Sequence, residues 1–308
     1  MDKKEFAQRV YLGINQKKQD TDLYKNENRF LRSGLIYNII RSLSNLINYF
    51  DLQNEIIFED KTAFIKVSGL KLMICTPYYL KHVGTKITST FIQSEEFLSN
   101  LNIKPKNIID IGACWGECSM YLASKFQEAK IFSVEGSPKN YNILKKNLSH
   151  NPQLNSLIKP FNIIMSGKDG FDEITNTIST MNVVKKIKIQ NLKFENYETI
   201  KTLTLKTFLK ENNVCEVDFL KIDIEGSEQD LIEDLLTIKI KSMQIELINY
   251  NSLDTNLSFI KRLFTKFNIH NPENWNYEDL EMLNKRVTNH FKKYSHIDLF
   301  LSFKEEKI

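Results

Sequence analysis

"NIIDIGACWGECSMYLA", Asn107 to Ala123, is the stretch whose reading decides the fold of this chain. A short apolar run carries one acid, Asp110, and reads as a buried strand. Gly112 and Gly116 follow, and a helical pattern opens near Glu117. Glycine at both places lets the backbone turn tightly and approach a ligand without a Cβ in the way. In an open α/β sheet, ligands bind beyond the carboxyl ends of the strands. The spacing here is Asp-x-Gly-x-x-x-Gly, not the Gly-x-Gly-x-x-Gly that cradles a pyrophosphate. Asp110 at the strand end and Glu117 at the helix start would repel phosphate, so a cationic or hydroxyl-bearing ligand suits the turn better.

The same strand–helix rhythm continues outward. "AKIFSVEG" reads as a strand and "SPKNYNILKKNLSHN" as a helix with Ser137 as its cap and Pro138 in its first turn. "LIKPFNIIM" is a third strand, "VDFLKIDIEG" a fourth followed by a helix through "SEQDLIEDLL", and "SMQIELINY" a fifth. Such alternation predicts a mostly parallel sheet with helices on both faces, a Rossmann-like α/β fold. The final "HIDLFLSF" is expected to pair antiparallel at the sheet's end, after a polar insertion at 271 to 295. Between the third and fourth strands, "KIKIQN" and "YETIKTLTL" suggest an inserted or edge hairpin.

Upstream, "TFIQSEEFLSNLN" looks helical, and "EIIFED", "TAFIKVSG" and "LKLMICT" predict a small antiparallel meander. Apolar residues from Leu31 to Phe50 recur at helical spacing, giving an amphipathic helix over 29–50. That helix packs on the body of the protein, serves a dimer contact or lies on a membrane surface, so a homo-oligomer through it is one expectation. The domain reading is 1–90 for this N-terminal helix and meander and 91–308 for the α/β domain.

Hydrophobic residues at 42% and charged residues at 26% describe ordinary globular protein. A net charge of +4, with lysines in short clusters such as Lys145-Lys146, is too mild to imply nucleic acid. The four cysteines show neither a disulfide framework nor metal spacing. No apolar signal core opens the chain and no run is long enough to span a membrane, so a cytoplasmic protein without a transmembrane segment is expected.

The second strand ends in Glu135, where a carboxylate can accept both hydroxyls of a ribose. A ribose acceptor beside a phosphate-averse glycine turn favours S-adenosylmethionine over a dinucleotide. "IIDIGACWGECSMYLA", "FSVEGSPKNYNILKKNLSHN", "FNIIMSGKDG" and "VDFLKIDIEGSEQDLIEDL" resemble, in order and spacing, the FkbM-type methyltransferases of the class I S-adenosylmethionine-dependent enzymes. The resemblance covers roughly residues 90 to 250, and "LKIDIEGSE" is its most specific block. It implies a cofactor loop of Asp110, Gly112, Ala113, Cys114 and Gly116, a ribose acid at Glu135 beside Gly136, and an adenine turn over Asn162 to Gly167 that includes Ser166. It also implies Asp223 at the methyl-transfer centre. The family commonly has Asn at Cys114, Pro at Gly136 and Asp at Lys206.

Methyl transfer is an in-line displacement, aided by holding the acceptor close and by a group that takes its proton. Asp223 and Glu225 are the candidates for acceptor positioning and general base, with Glu246 in "QIELIN" a further one. The three would suit a divalent cation by their oxygens, but spacing does not establish one and no metal is expected. The resemblance supports O-methylation of a sugar hydroxyl, as in a glycan precursor, or of a small-molecule natural product. A nitrogen or macromolecular acceptor and a non-catalytic, partner-binding domain are the alternatives.

Overall fold

The computed structural model describes residues 55–59, 62–67, 69–73, 86–177, 182, 184, 196–249 and 251–304. The amphipathic helix over 29–50 and the "KIKIQN" strand lie outside them. By compactness the chain divides into Met1–Lys86 and Ile87–Ile308. In the first unit, β1 (Glu55–Glu59), β2 (Thr62–Val67) and β3 (Leu70–Met73) form the antiparallel meander in that order. Phe64, Leu70 and Leu72 are buried.

The second unit opens with α1 (Lys86–Asn100), then β4 (Asn107–Ile111), α2 (Glu117–Lys125), β5 (Lys130–Val134) and α3 (Pro138–Ser149). Next come β6 (Ile158–Phe161), β7 (Ile164–Met165), β8 (Gly170–Thr175), β9 (Tyr197–Leu203), α4 (Leu205–Glu211) and β10 (Val217–Ile222). A 3-10 turn at Glu228–Leu231 leads into α5 (Ile232–Thr237) and β11 (Ile240–Ile248). The chain continues through α6 (Leu253–Phe264), β12 (Phe267–His270), β13 (Tyr277–Glu278), α7 (Leu280–Phe291) and β14 (His296–Phe303). The main sheet has the order β13-β12-β14-β11-β10-β4-β5-β6. Strands β6, β5, β4, β10 and β11 are parallel, and β14 runs antiparallel to both β11 and β12. This is a mostly parallel Rossmann-like sheet in which β14 runs against its neighbours.

The two faces of the sheet differ. One register row crosses it as Ser133, Asp110, Lys221, Gln244, Phe300 and His270. Helices α1 and α2 cover this polar row. Ser119 of α2 donates to Asp110 and accepts from Ser133, Ser94 of α1 donates to Gln244, and Phe97 packs on His270 and Phe300. The opposite face is apolar. Ile109, Leu220, Met243, Ile245 and Leu299 pack there with Phe208, Leu235, Ile260 and Val287 of α4, α5, α6 and α7. Each such side chain contributes about 1.5–3 kcal/mol on burial.

Three sequence expectations need correction. "LIKPFNIIM" is not one strand, because it divides between two sheets at Asn162. Asn162 donates its side-chain amide to the carbonyls of Glu135 and Gly136, which draws the chain out of line. Pro160 is tolerated because β6 is an edge strand. The inserted pair is β8 with β9, and "GFDEIT" supplies the partner of "YETIKTL" in a three-stranded sheet β7-β9-β8. Finally, β14 does not lie at the sheet's end. It is wedged between β11 and β12, and the presumed polar insertion holds β13 and α7, whose Leu283 and Val287 are buried.

Candidate active site

The strand order reverses between β4, which leads on to β5, and β10, which pairs on its other side. The crevice beyond these two carboxyl ends is where such a sheet binds its ligand. The backbones there nearly touch. The N–H of Asp223 donates to the Ile111 carbonyl at 3.0 Å, and a Cβ on Gly112 would lie 1.8 Å from the Asp223 carbonyl oxygen. Gly112 also has φ 83°, so both space and backbone conformation require glycine. Its N–H and that of Ala113 donate to Val134. Cys114 takes φ 50°, and Gly116 at φ 86° starts α2.

Glu135 is turned into this loop. Its carboxyl accepts the N–H of Cys114 at 2.9 Å and that of Ser137 at 2.7 Å. Burial raises its pKa to about 8, against the lowering effect of those two donors. Trp115 anchors the loop from the other side, its indole donating to Asn140 while Asn147 donates to its carbonyl. Gly136 borders the insert, where a Cβ would sit 2.8 Å from Ile174 and 3.0 Å from Ile164. Ser166 is buried, and its N–H is engaged by Leu203.

Asp110 is wholly buried. One oxygen accepts from Ser119 at 2.6 Å, and the other has no hydrogen-bond partner among the described residues. Burial raises its pKa, with Lys221 opposing. Lys221, 5% exposed, neighbours Asp110 in register and reaches Asp223 at 3.0 Å. Burial disfavours its ammonium, but Asp223 and Asp110 together hold its pKa well above the usual range.

Asp223, Glu225 and Glu246 converge. One carboxylate oxygen from each lies within 4.8 Å of the others, a spacing that a hard divalent cation could bridge. Glu225 reaches the group from φ 54°, in a turn whose Ile224 and Gly226 N–H groups donate to Glu228. Glu228 is therefore a turn cap, with its pKa raised by burial to about 7. Glu246 pairs in register with Asp298. Burial pushes its pKa well up, and the charges of Asp223 and Asp298 add to that. Glu246 also shares a side-chain hydrogen bond with Asp223.

The sequence reading missed two members of the site. Asp298 faces Glu246, and its carboxylate accepts from Gln244 at 2.9 Å. An acid inside the apolar "HIDLFLSF" was the available signal, as was Lys221 inside "VDFLKI". Among the aromatics of "NPENWNY", Trp275 is turned inward, 5.4 Å from Phe97 and 5.1 Å from Phe300, whereas Tyr277 is largely exposed.

The Methyltransferase FkbM domain, as a family, matches residues 110–297, more than half of the chain. The chain belongs to the FkbM methyltransferase family. It is 25% identical over 182 residues to methyltransferase sdnD of Sordaria araneosa, covering 48% of this chain and 70% of that one. Its structure is similar to methyltransferase FkbM of Methylobacillus flagellatus KT, with 15% identity, TM-score 0.37, and 65% and 44% of the two chains covered. It is also similar to StiE O-MT residues 961–1257, with 12% identity, TM-score 0.41, and 76% and 79% covered. As an FkbM methyltransferase it uses a cofactor of the S-adenosylmethionine type. The residues fit one, because the converging carboxylates of Asp223, Glu225 and Glu246 suit a sulfonium, Asp110 keeps a buried oxygen with no hydrogen-bond partner among the described residues, and Glu135 offers a carboxylate just beyond the end of β5. Among the described residues no helix is long and apolar enough to cross a membrane.

Proposed function

We propose that this FkbM methyltransferase methylates a hydroxyl oxygen of a sugar, such as a glycan precursor, or of a small-molecule natural product. The observation that carries this reading is the meeting of Asp223, Glu225 and Glu246 beside the Gly112 loop. Held there, S-adenosylmethionine would supply an electrophilic methyl group, with its thioether as the leaving group. The chain's residues then have separable tasks. Asp110 and the 112–116 loop would bound the cofactor, and Glu135 would accept its ribose hydroxyls. Asp223 is kept ionised by Lys221 at 3.0 Å, so it is the carboxylate able to accept the acceptor's proton. Glu246, hydrogen-bonded to Asp223, orients it. Glu225 completes the wall and positions the acceptor oxygen.

The test is transfer from methyl-labelled S-adenosylmethionine to a panel of glycosides, phenols and amines. Formation of a methyl ether, lost in Asp223→Asn, is expected. Transfer confined to nitrogen would overturn the hydroxyl assignment.

A further inference from the structure

We infer that the three-stranded insert is a working part of the cofactor site, with Asn176 a positioning residue for Glu135. This rests on the reading of Glu135 as the ribose acid. Helix α3 begins at Ser137 without a cap of its own, since the Ser137 side chain makes no capping bond. The cap comes from the insert. The Asn176 side-chain oxygen accepts the N–H of Lys139 at 3.0 Å and the hydroxyl of Ser137 at 3.2 Å. The Ser137 N–H in turn donates to Glu135. Asn176 is held by donating its own amide to Glu198 of β9, and it is 6% exposed. The insert thus fixes the residue that aims the acid.

The same sheet presses on the acid's neighbour. Ile174, two residues before Asn176, and Ile164 occupy the space a Cβ on Gly136 would need. Gly136 does not lie in the left-handed region, so side-chain space rather than backbone conformation demands glycine there. This chain has glycine at 136 and an isoleucine pair that fills the space beside it. Loop, acid, helix start and insert form one continuous contact path, and displacement of β8 moves Glu135.

The experiment is calorimetric titration of the full-length protein with S-adenosylmethionine and S-adenosylhomocysteine, with thermal melting in parallel. Asn176→Ala is expected to weaken both ligands about tenfold, or 1.4 kcal/mol. Asn176→Asp combined with Glu198→Gln retains the accepting oxygen and a donor–acceptor pair to β9, and is expected to recover affinity to within about threefold of wild type. Asp279→Ala removes the N-cap of α7, where Asp279 accepts from Met282, and controls for lost capping alone. It is expected to lower the melting temperature and leave affinity unchanged. Gly136→Ala is expected to weaken binding, and Ile174→Val, which deletes the clashing Cδ1, to restore it in the double variant. If Asn176→Ala binds as wild type does while melting earlier, or if Ile174→Val fails to rescue Gly136→Ala, the insert is packing only and the inference falls. Wild-type protein that binds neither ligand would remove the cofactor reading itself, and this inference with it.

Discussion

Lys221→Met is the perturbation that probes the site's electrostatics most sharply. The ammonium is buried, 3.0 Å from Asp223 and beside Asp110 in register. At that separation and an effective dielectric constant of about 20, the attraction to Asp223 is roughly 5 kcal/mol. Removing one partner of a buried pair leaves the acids uncompensated and costs about 3–5 kcal/mol. Methionine keeps the volume, so the loss is charge rather than cavity. The pH dependence has a definite sign. Burial already raises Asp110 above its usual range, and Lys221 restrains that rise. Without the ammonium the folded-state pKa moves further above the unfolded one. Stability is then retained in acid and lost as pH rises through the folded value, so the penalty is larger at pH ~8 than at pH ~5. The raised pKa of Lys221 itself keeps its contribution intact through neutral pH. The assay is urea unfolding followed by tryptophan fluorescence at both pH values, with Lys221→Met/Asp110→Asn as second variant. Neutralising Asp110 is expected to recover about 1–2 kcal/mol. A loss below about 1 kcal/mol, or one independent of pH and unaffected by Asp110→Asn, would refute the reasoning.

Other expectations follow from the same geometry. Glu135 has a pKa of about 8 in the free protein, and hydroxyl donors favour its ionised form. Cofactor affinity should therefore rise up to about tenfold per pH unit below 8 and level off above it, with Glu135→Gln abolishing the slope in calorimetric titrations. Glu246→Gln keeps a donor for the hydrogen bond to Asp223 and should keep kcat/KM within about threefold at neutral pH, while Asp223→Asn should cost about 10²–10⁴-fold in the same assay. Gly112→Ala places a Cβ 1.8 Å from the Asp223 carbonyl oxygen, so its cost in urea unfolding should exceed the ~1–2 kcal/mol of a left-handed backbone alone.

The parallel core of the fold was legible because each motif marks a strand end by itself. Asp110, Glu135, Asp223 and Glu246 all close apolar runs, and the structure places each at or near a carboxyl end. What escaped the sequence depends on long-range partners. "LIKPFNIIM" reads as one apolar run, and only the reach of Asn162 to Glu135 and Gly136 divides it. "GFDEIT" has an exposed first half, which blurs its alternation until β9 is beside it. In "LDTNLSFIKRLF" the helix was signalled by Ser252, which accepts from Thr255, but no strand pattern called for it. Glu135 was found as an acid at a strand end, whereas its two main-chain donors became visible only in the folded loop. Asp298 joined the site because β14 inserts beside β11 rather than at the edge.

The central claim is that an ionised Asp223 accepts a hydroxyl proton while the methyl group moves to oxygen. The most direct measurement is the product formed from methyl-labelled S-adenosylmethionine and a panel of hydroxyl and amine acceptors, by wild-type protein and Asp223→Asn side by side. A labelled methyl ether from the wild type, lost in the variant while cofactor affinity persists, is the expected result. Label found only on nitrogen, or an undiminished methyl ether from Asp223→Asn, would contradict the account.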